Sequence, residues 1–528
     1  MKATIFLTAL LLMTVSATAA LTFDAAAPLT AQADDAPHIN APRIFGVRPG
    51  SPFLFRVPVS GSRPLTVSAQ GLPEGLSLDP KTGILTGTIA LREKKTYTVA
   101  FTATNSAGTD RNTLRIVVGD RIALTPPMGW NSWYAFAHKV TEKDMRRAAD
   151  LFEKLGLVNF GWSYINMDDG WQGFRGGSTK AIQANEKFPD IVGMVDHIHS
   201  KGLHAGLYTV PMIGSYAGFV GSSCDNAEGE YTGLPEDTRE NPSQIYGLAP
   251  GIINFRVKRV GPHWFFDRDI AQMSDWGFDF IKFDWTIEPV TARRASKDVA
   301  AQKRDIVLSL SNSAKLADGK TLSQCAQMWR TAGDIEDKWA SVIGVAQKQF
   351  RWAPHAGPGH WNDADMLQFG FIHDAFNQKT PARPSRLSFE EQRSQISLWC
   401  LLAAPLLISC DLEKIDAKAL SLVTNPEVLE VDQDALGKPA YQVGKGGALL
   451  VLRKEMEDGT LALGVFNTGN KAFSGKLLPQ DLGAPAAAVL RDLWARRDLP
   501  AGEAAFELPP HGCALLRTHR ACLGNAAK

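Results

Sequence analysis

The sequence predicts a multidomain α/β chain, a (β/α)8 TIM barrel carried between two β-sandwiches, and three textures along it support that fold class. From about Thr125, apolar strand-like runs alternate with amphipathic helical patterns, the arrangement of βα units around a parallel sheet. Before that stretch, and again beyond Asp434, short alternating segments separated by turn residues read as antiparallel strands. With 528 residues, 45% of them hydrophobic, the chain can bury two or three separate cores.

The first domain boundary is a processing signal. Lys2, the apolar stretch Ile5 to Val15 and the small residues Ser16-Ala17-Thr18-Ala19-Ala20 follow the order of a cleaved secretory signal over 1–20. The stretch is too short to span a membrane, and no cysteine at its end can take a lipid, so the expectation is export to a periplasm or medium without an anchor. Residues 21–37, rich in Ala, Asp and Pro, read as a flexible leader. Residues 38–120 carry turn signals such as Asp79-Pro80-Lys81-Thr82-Gly83 and Asn105-Ser106-Ala107-Gly108 between strand-like runs. The run from Gly71 to Thr88 resembles the immunoglobulin-like modules attached to exported bacterial enzymes. Such a module is either carbohydrate-binding or a spacer, and the lack of an evident exposed aromatic cluster on its strands favours the spacer.

The barrel is expected over 121–434. Its first strand starts at Met128-Gly129-Trp130, and a helix from Thr141 to Leu155 follows with Thr141 as N-cap. A strand from Ser163 to Met167 ends in Asp168-Asp169; a helix from Ile191 to Lys201 is closed by Gly202 and leads to a strand, Leu203 to Val210, containing Tyr208. A long loop then runs from Pro211 to about Pro262, a length usually reserved for functional insertions. Further strands are read at Gly277–Asp284, Asp305–Ser311, Gln327–Ala332, Trp361 onward and Pro405–Ser409, with helices near Lys297–Lys303, Ile335–Phe350 and Glu390–Leu402. Residues 435–528 return to β texture, a second antiparallel sandwich without chemistry of its own.

Formal charge is +1, so nothing steers the chain toward nucleic acid or an anionic membrane, and a neutral partner such as a carbohydrate fits better. Six cysteines make no dense disulfide framework: Cys400 and Cys410 read as buried thiols, while Cys513 and Cys522 could clip the tail. No Cys/His spacing points to zinc, and no cofactor is expected. His197-Ile198-His199 looks like a metal motif, but residues two apart on a helix point to different faces, so solvated histidines are expected.

The segment Gly277 to Trp285 organises the site. A buried strand has no packing use for Lys282 and Asp284, because each charge costs several kcal/mol to desolvate unless something offsets it. They form either a structural ion pair or part of an active site. Acids also end the other strands: Asp168, Asp169, Asp334, Asp363 and Asp365 converge with Asp284 on the rim where barrel enzymes keep their chemistry. Lys282 and Arg330 add cations, and Trp133, Tyr208 and Trp285 add flat apolar faces, a mixture suited to a hydroxyl-rich ring. Such aspartates could instead hold a divalent cation, yet those sites usually recruit histidines, and His360 is the nearest one here. Glycoside cleavage needs two carboxyls, about 5–5.5 Å apart for a nucleophile and about 6.5–9.5 Å apart for attack by water. Spacing along a chain carries no such distances, so the stereochemistry stays open.

At these residues the chain resembles glycoside hydrolase family 27, the α-galactosidases and α-N-acetylgalactosaminidases. The resemblance lies in Thr125-Pro-Pro-Met-Gly-Trp-Asn-Ser-Trp133, Tyr164-Ile-Asn-Met-Asp-Asp-Gly-Trp171, Lys282-Phe-Asp284, Trp329-Arg-Thr-Ala-Gly-Asp334, Gly359-His-Trp-Asn-Asp-Ala-Asp-Met366 and a tail from Asn425 to Gly437. It implies a retaining α-galactosidase with Asp284 as nucleophile and Asp334 as acid/base. It further implies sugar contacts from Lys282, Asp168, Asp169 and Arg330, a pocket shaped by Trp133 and Tyr208, and Asp365 beneath it. Asp168 argues for a 6-hydroxyl, since arabinopyranosidase-type members alter that position. Animal members bond a cysteine just after the nucleophile to the loop after the Tyr208 strand; here Trp285-Thr286-Ile287 has none and Cys224 looks unpaired. Ser311 and Ala314 stand where N-acetylgalactosamine enzymes carry a serine and an alanine, so that activity, or dual activity, is the alternative. A metal-dependent hydrolase and a catalytically silent sugar-binding protein are the more distant ones.

Overall fold

A computed structural model of the chain describes residues 34–90, 94–231, 259–285, 288–374, 380–444, 447–499 and 504–519. The expected signal sequence, most of the leader, the middle of the long loop, Thr286, Ile287 and Cys522 lie outside the described residues.

The N-terminal domain is a sandwich because its strands alternate buried and exposed side chains. Ile44–Val47, Gly108–Val118, Lys95–Asn105 and Thr66–Gln70 make one sheet; Pro52–Arg56, Ile84–Thr88 and Leu76–Leu78 make the other. Val67, Leu85, Val99, Phe101 and Ile116 fill the space between them. The long hairpin turns at Asn105, whose Oδ1 accepts from the backbone N–H groups of Ala107 and Gly108 at 2.8 and 3.1 Å.

Eight parallel strands form the barrel in chain order: β1 (Met128–Asn131), β2 (Tyr164–Asn166), β3 (His204–Thr209), β4 (Phe280–Phe283), β5 (Val307–Leu310), β6 (Met328–Arg330), β7 (Trp361–Asp363) and β8 (Leu406–Ile408). β1 pairs with β8 on one side, and just past β7 a parallel bridge from Leu367 to Ile408 closes the ring. The helix Glu142–Lys154 starts where its sequence says: Thr141 Oγ1 accepts from the Asp144 N–H while Asp144 Oδ2 accepts from the Thr141 N–H at 2.9 Å, a reciprocal cap. Gly277, at φ +98°, turns the helix Phe266–Asp275 into β4; a Cβ there would sit 2.9 Å from Val195.

Two helix expectations shift. The helix read near Ile335–Phe350 is Trp339–Trp352, because Ile335 to Lys338 is tied into the strand-end loop described below. The one read near Lys297–Lys303 is Pro289–Ala300, opened by Pro289, whose fixed φ suits a first turn. The two histidines are also not simply solvated: His197 meets Asp150 at 2.9 Å, and His199 meets buried Asp279 at 2.8 Å. Asp279 further accepts from Arg304 at 2.8 Å and from the Ala205 N–H at 2.9 Å. Burial works against its ionisation, but His199 and His204 outweigh that and hold its carboxyl far below the usual range.

The N-terminal domain is clasped to the strand-start face of the barrel, opposite the acid-bearing rim. Arg48 binds Asp305 through Nε at 2.6 Å and through its backbone N–H at 3.0 Å. Its guanidinium also donates to the carbonyls of Ala300, the last residue of the helix before β5, and of Gln302 and Arg304 in the turn that follows. Ser51 adds 2.9 Å to Asp305, and Arg56 reaches Glu153 at 2.9 Å and the Lys201 carbonyl at 2.8 Å. The module is therefore fastened to the barrel as a buttress.

The C-terminal domain runs Tyr441–Gln442, Leu449–Glu455, Leu461–Asn467, Cys513–Thr518, Leu490–Asp492 and Arg497–Asp498 across one sheet, with Phe473–Leu477 and Ala504–Leu508 as a second. It packs on the helix Phe389–Leu401, where Trp494 Nε1 donates to Ser397 Oγ at 2.9 Å. Cys224, Cys325, Cys400, Cys410 and Cys513 are all free and buried; Cys513 sits 3.4 Å from Ser397 rather than in a disulfide. Among the described residues no helix is long and apolar enough to cross a membrane.

Candidate active site

Strand alternation decides which side chains meet. Residues two apart point to the same side, so Phe280, Lys282 and Asp284 line the inside of β4 and Ser309 and Ser311 that of β5, while Asp363 ends β7 and Asp365, past the strand at φ +73°, reaches the same cavity. Asn131, Lys282, Ser311, Arg330, Asp363 and Asp365 surround a small internal cavity of ≈20 Å³ beneath the rim.

Lys282 Nζ is paired with Asp168 Oδ2 at 2.8 Å, two strands away, and Asn131 Nδ2 donates to the same oxygen at 2.8 Å. Asp168 is 2% exposed, and its backbone N–H is taken by Ser132 Oγ at 2.9 Å. Burial alone would lower the Lys282 pKa, but the carboxylates of Asp168 and Asp284 outweigh it and hold the ammonium above the ordinary lysine range.

Asp284 is held from both sides. Tyr208 OH donates to its Oδ2 at 2.9 Å, and Ser311 lies close by, where its hydroxyl favours the ionised carboxylate. Burial raises its pKa and the nearby Asp334 adds to that, while Lys282 and Ser311 pull it back toward the ionised form. Tyr208 is itself buried against Asp284, so its phenol titrates well above the usual tyrosine value and remains a donor.

Arg330 forks between two acids of different exposure, reaching Asp365 Oδ2 at 2.7 Å and Asp334 Oδ1 at 3.2 Å. The Asp365 side chain is 2% exposed and that of Asp334 is 41% exposed, so of the two acids Asp334 is the one open to solvent. Burial pushes Asp365 up to about 6 against the pull of Arg330. Ile335, next to Asp334, is pinned at both ends of its peptide: its N–H donates to Asp365 Oδ2 at 2.8 Å and its carbonyl accepts from Tyr134 OH at 2.8 Å. Two residues on, Asp337 is clamped by Arg383 at 2.6 Å and by the Arg386 N–H at 2.7 Å.

All of the expected residues reach this rim, with different neighbours. Trp133 is 9% exposed and Tyr208 1% exposed, both in the wall. Ala314 is half-buried beside β6, its N–H on the Arg330 carbonyl at 2.9 Å. Asp169 faces the loop rather than the cavity: its oxygens accept from the Ala217 N–H at 2.7 Å and from Gln172 Nε2 at 3.1 Å. Burial pushes its carboxyl up to about 6. Tyr134, Asn131 and Ser132 went unread as site residues although they sit inside the Met128–Trp133 motif or beside it; their partners lie on other strands. Among the described residues no group of three or more His, Cys, Asp or Glu is placed to hold a metal ion. Each rim acid instead meets a cation, a hydroxyl, a side-chain amide or a backbone N–H.

A family model described as α-galactosidase A matches residues 125–231 and 259–434. Models of an Ig domain and of the α-galactosidase C-terminal β-sandwich match 36–119 and 446–518. α-Galactosidase 2 of Arabidopsis thaliana is 29% identical over 428 residues, covering 79% of this chain and 94% of its own. Human α-N-acetylgalactosaminidase is 26% identical over 361 residues, covering 63% of this chain and 75% of its own. The solved structure of a Bacteroides fragilis protein, described as a candidate α-galactosidase/melibiase, aligns at TM-score 0.78 with 28% identity, covering 92% of this chain and 98% of its own.

Proposed function

This chain belongs to the α-galactosidase family of glycoside hydrolase family 27, and from that premise we propose that it releases terminal α-linked galactose from oligosaccharides or glycoconjugates by double displacement. The observation that carries the proposal is the contrast between two acids on one rim. Asp284 is buried, fixed by Tyr208 and backed by Lys282; Asp334 is half-exposed on Arg330.

In this reading an Asp284 oxygen attacks the anomeric carbon while Asp334 gives its proton to the departing glycosidic oxygen. The product of that step is a β-galactosyl ester on Asp284. Asp334, now a carboxylate, takes a proton from water, which attacks the same carbon and frees the sugar with Asp284 regenerated. Asp168 and Lys282, fixed by each other, would receive sugar hydroxyls, and the buried Asp365 keeps Arg330 in place beside Asp334. Lys2 and the apolar stretch Ile5 to Val15 support an exported enzyme acting outside the cytoplasm.

A second reading rests on Ser311 and Ala314. Both are small, and Ser311 lines the cavity with Lys282 and Arg330, which favours room beside the sugar's 2-position and activity on α-N-acetylgalactosaminides. Parallel turnover of nitrophenyl α-galactoside and α-N-acetylgalactosaminide, with Asp284→Asn as blank, separates the two. Asp284→Gly supplied with azide should release β-galactosyl azide. Full turnover by Asp284→Asn would remove the nucleophile assignment.

A further inference from the structure

Trp285 follows Asp284 and leaves the sheet at φ +68°, a left-handed conformation that a bulky side chain rarely adopts without something holding it. The Asp284 N–H still donates to the Thr209 carbonyl at 2.9 Å, so the departure begins abruptly at the residue after the acid. It lays the indole against Tyr208, Val210 and Met212 and stacks it on Tyr216, ring centres 5.5 Å apart and planes 28° from parallel. Tyr216 in turn meets the Trp133 ring edge-on at 6.0 Å.

The loop that brings Tyr216 there is fixed on both sides of it. On its far side, Asp169 accepts from the Ala217 N–H at 2.7 Å. Within the loop, Ser215 N–H donates to the Phe219 carbonyl at 2.7 Å, and Phe219 N–H donates back to Ser215 Oγ at 2.9 Å. A buried acid is thus spent on holding one aromatic ring against another. Tyr216 and Trp285 nevertheless remain half-buried, whereas Trp133 beneath them is closed off. Filling a core would need neither the strained backbone nor the residual exposure.

We propose that Tyr216 and Trp285 form a leaving-group platform, on which the apolar face of a hexose ring or an aryl aglycone stacks while its glycosidic oxygen lies between Asp284 and Asp334. The proposal rests on the reading of those two acids as the catalytic pair. Aromatic faces suit this ligand class because a pyranose presents a flat C–H surface, and the chain's near-zero charge favours a neutral group.

The test compares two substrates that differ only in what leaves: α-galactosyl fluoride, which has no ring to stack, and an α-galactosyl-glucose disaccharide. Trp285→Gly keeps the left-handed backbone available, and Tyr216→Ala attacks the stack from the other side. Either variant should lower kcat/KM on the disaccharide at least about tenfold while leaving the fluoride within about threefold, and Tyr216→Phe should retain disaccharide turnover. Equal losses on both substrates would mean that the stack only supports the sugar pocket, and unchanged disaccharide turnover would mean that nothing stacks there; either result overturns the platform. A wild-type protein that cleaves neither these substrates nor the corresponding α-N-acetylgalactosaminides would instead overturn the underlying assignment of Asp284 and Asp334, and the platform with it.

Discussion

Lys282 and Asp168 meet at 2.8 Å across three neighbouring strands, β2, β3 and β4, and the pairing settles the role of a cation that its own strand leaves unexplained. Lys282 sits two residues from Asp284, yet it spends its ion pair on Asp168 and acts on Asp284 only through its charge. Lys282→Met should therefore damage two acids at once, leaving Asp168 buried without its cation and Asp284 less readily ionised. The expected loss in kcat/KM is at least about 100-fold, or roughly 3 kcal/mol of transition-state stabilisation. Because the residues act as a unit, Asp168→Asn combined with Lys282→Met should be little worse than Lys282→Met alone; additive losses would contradict the coupling.

Tyr134 holds the carbonyl of Ile335 at 2.8 Å and so steadies the peptide beside Asp334. Tyr134→Phe removes that bond without opening a cavity. Hydrolysis of alkyl galactosides, whose poor leaving groups need the proton, should slow about tenfold in kcat with KM little changed. Galactosides with highly activated aryl leaving groups should slow much less. A uniform decrease across leaving groups would point to a general loss of structure.

Asp169 makes a pH prediction with a definite sign. Its carboxyl is pushed up to about 6 by burial, above the ordinary 3.8, so the folded protein binds this proton more tightly than the unfolded chain does. The resulting stabilisation is complete below about pH 4 and is lost as pH rises through about 6. A displacement of that size is worth on the order of 3 kcal/mol. Asp169→Asn cannot titrate, so denaturation midpoints of wild type and variant, measured from pH 4 to 7, should move in the variant's favour as pH rises. A constant difference would show that Asp169 does not carry this proton.

Arg48 tests the buttress. Arg48→Ala strands Asp305, which is 18% exposed, and uncaps the carbonyls of Ala300, Gln302 and Arg304. The expected cost is about 2 kcal/mol, read as a lower denaturation midpoint. Turnover measured well below that midpoint should stay within about twofold of wild type, because the contact lies at the strand-start face. A large change in KM would mean that the N-terminal domain reaches the substrate.

Much of this was legible from local pattern. A buried parallel strand announces itself by an unbroken apolar run, and Gly277–Asp284 gave that signal together with the one place where charge broke it. Thr141, three residues before Asp144, announced a helix start for an equally local reason, because the cap closes within one turn. The helix after Asp334 starts four residues later than its periodicity predicts, since Ile335 and Asp337 carry no local mark of being tied to Tyr134, Asp365, Arg383 and Arg386. His199 was read as solvated because its partner, Asp279, is 80 residues away.

Domain order, the barrel and the acids at its strand ends are written into local segments, because strand and helix periodicities and strand-end positions are properties of short stretches of chain. What each acid meets at the rim depends on contacts that no short stretch contains. Closing the ring sets Asp168 on Lys282 and Asp365 on Arg330, leaves Asp334 half-exposed, turns Asp169 away toward Ala217, and lays Trp285 on Tyr216. These are contacts between strands far apart in the chain. Their geometry follows from barrel register and closure, to which no single segment has access.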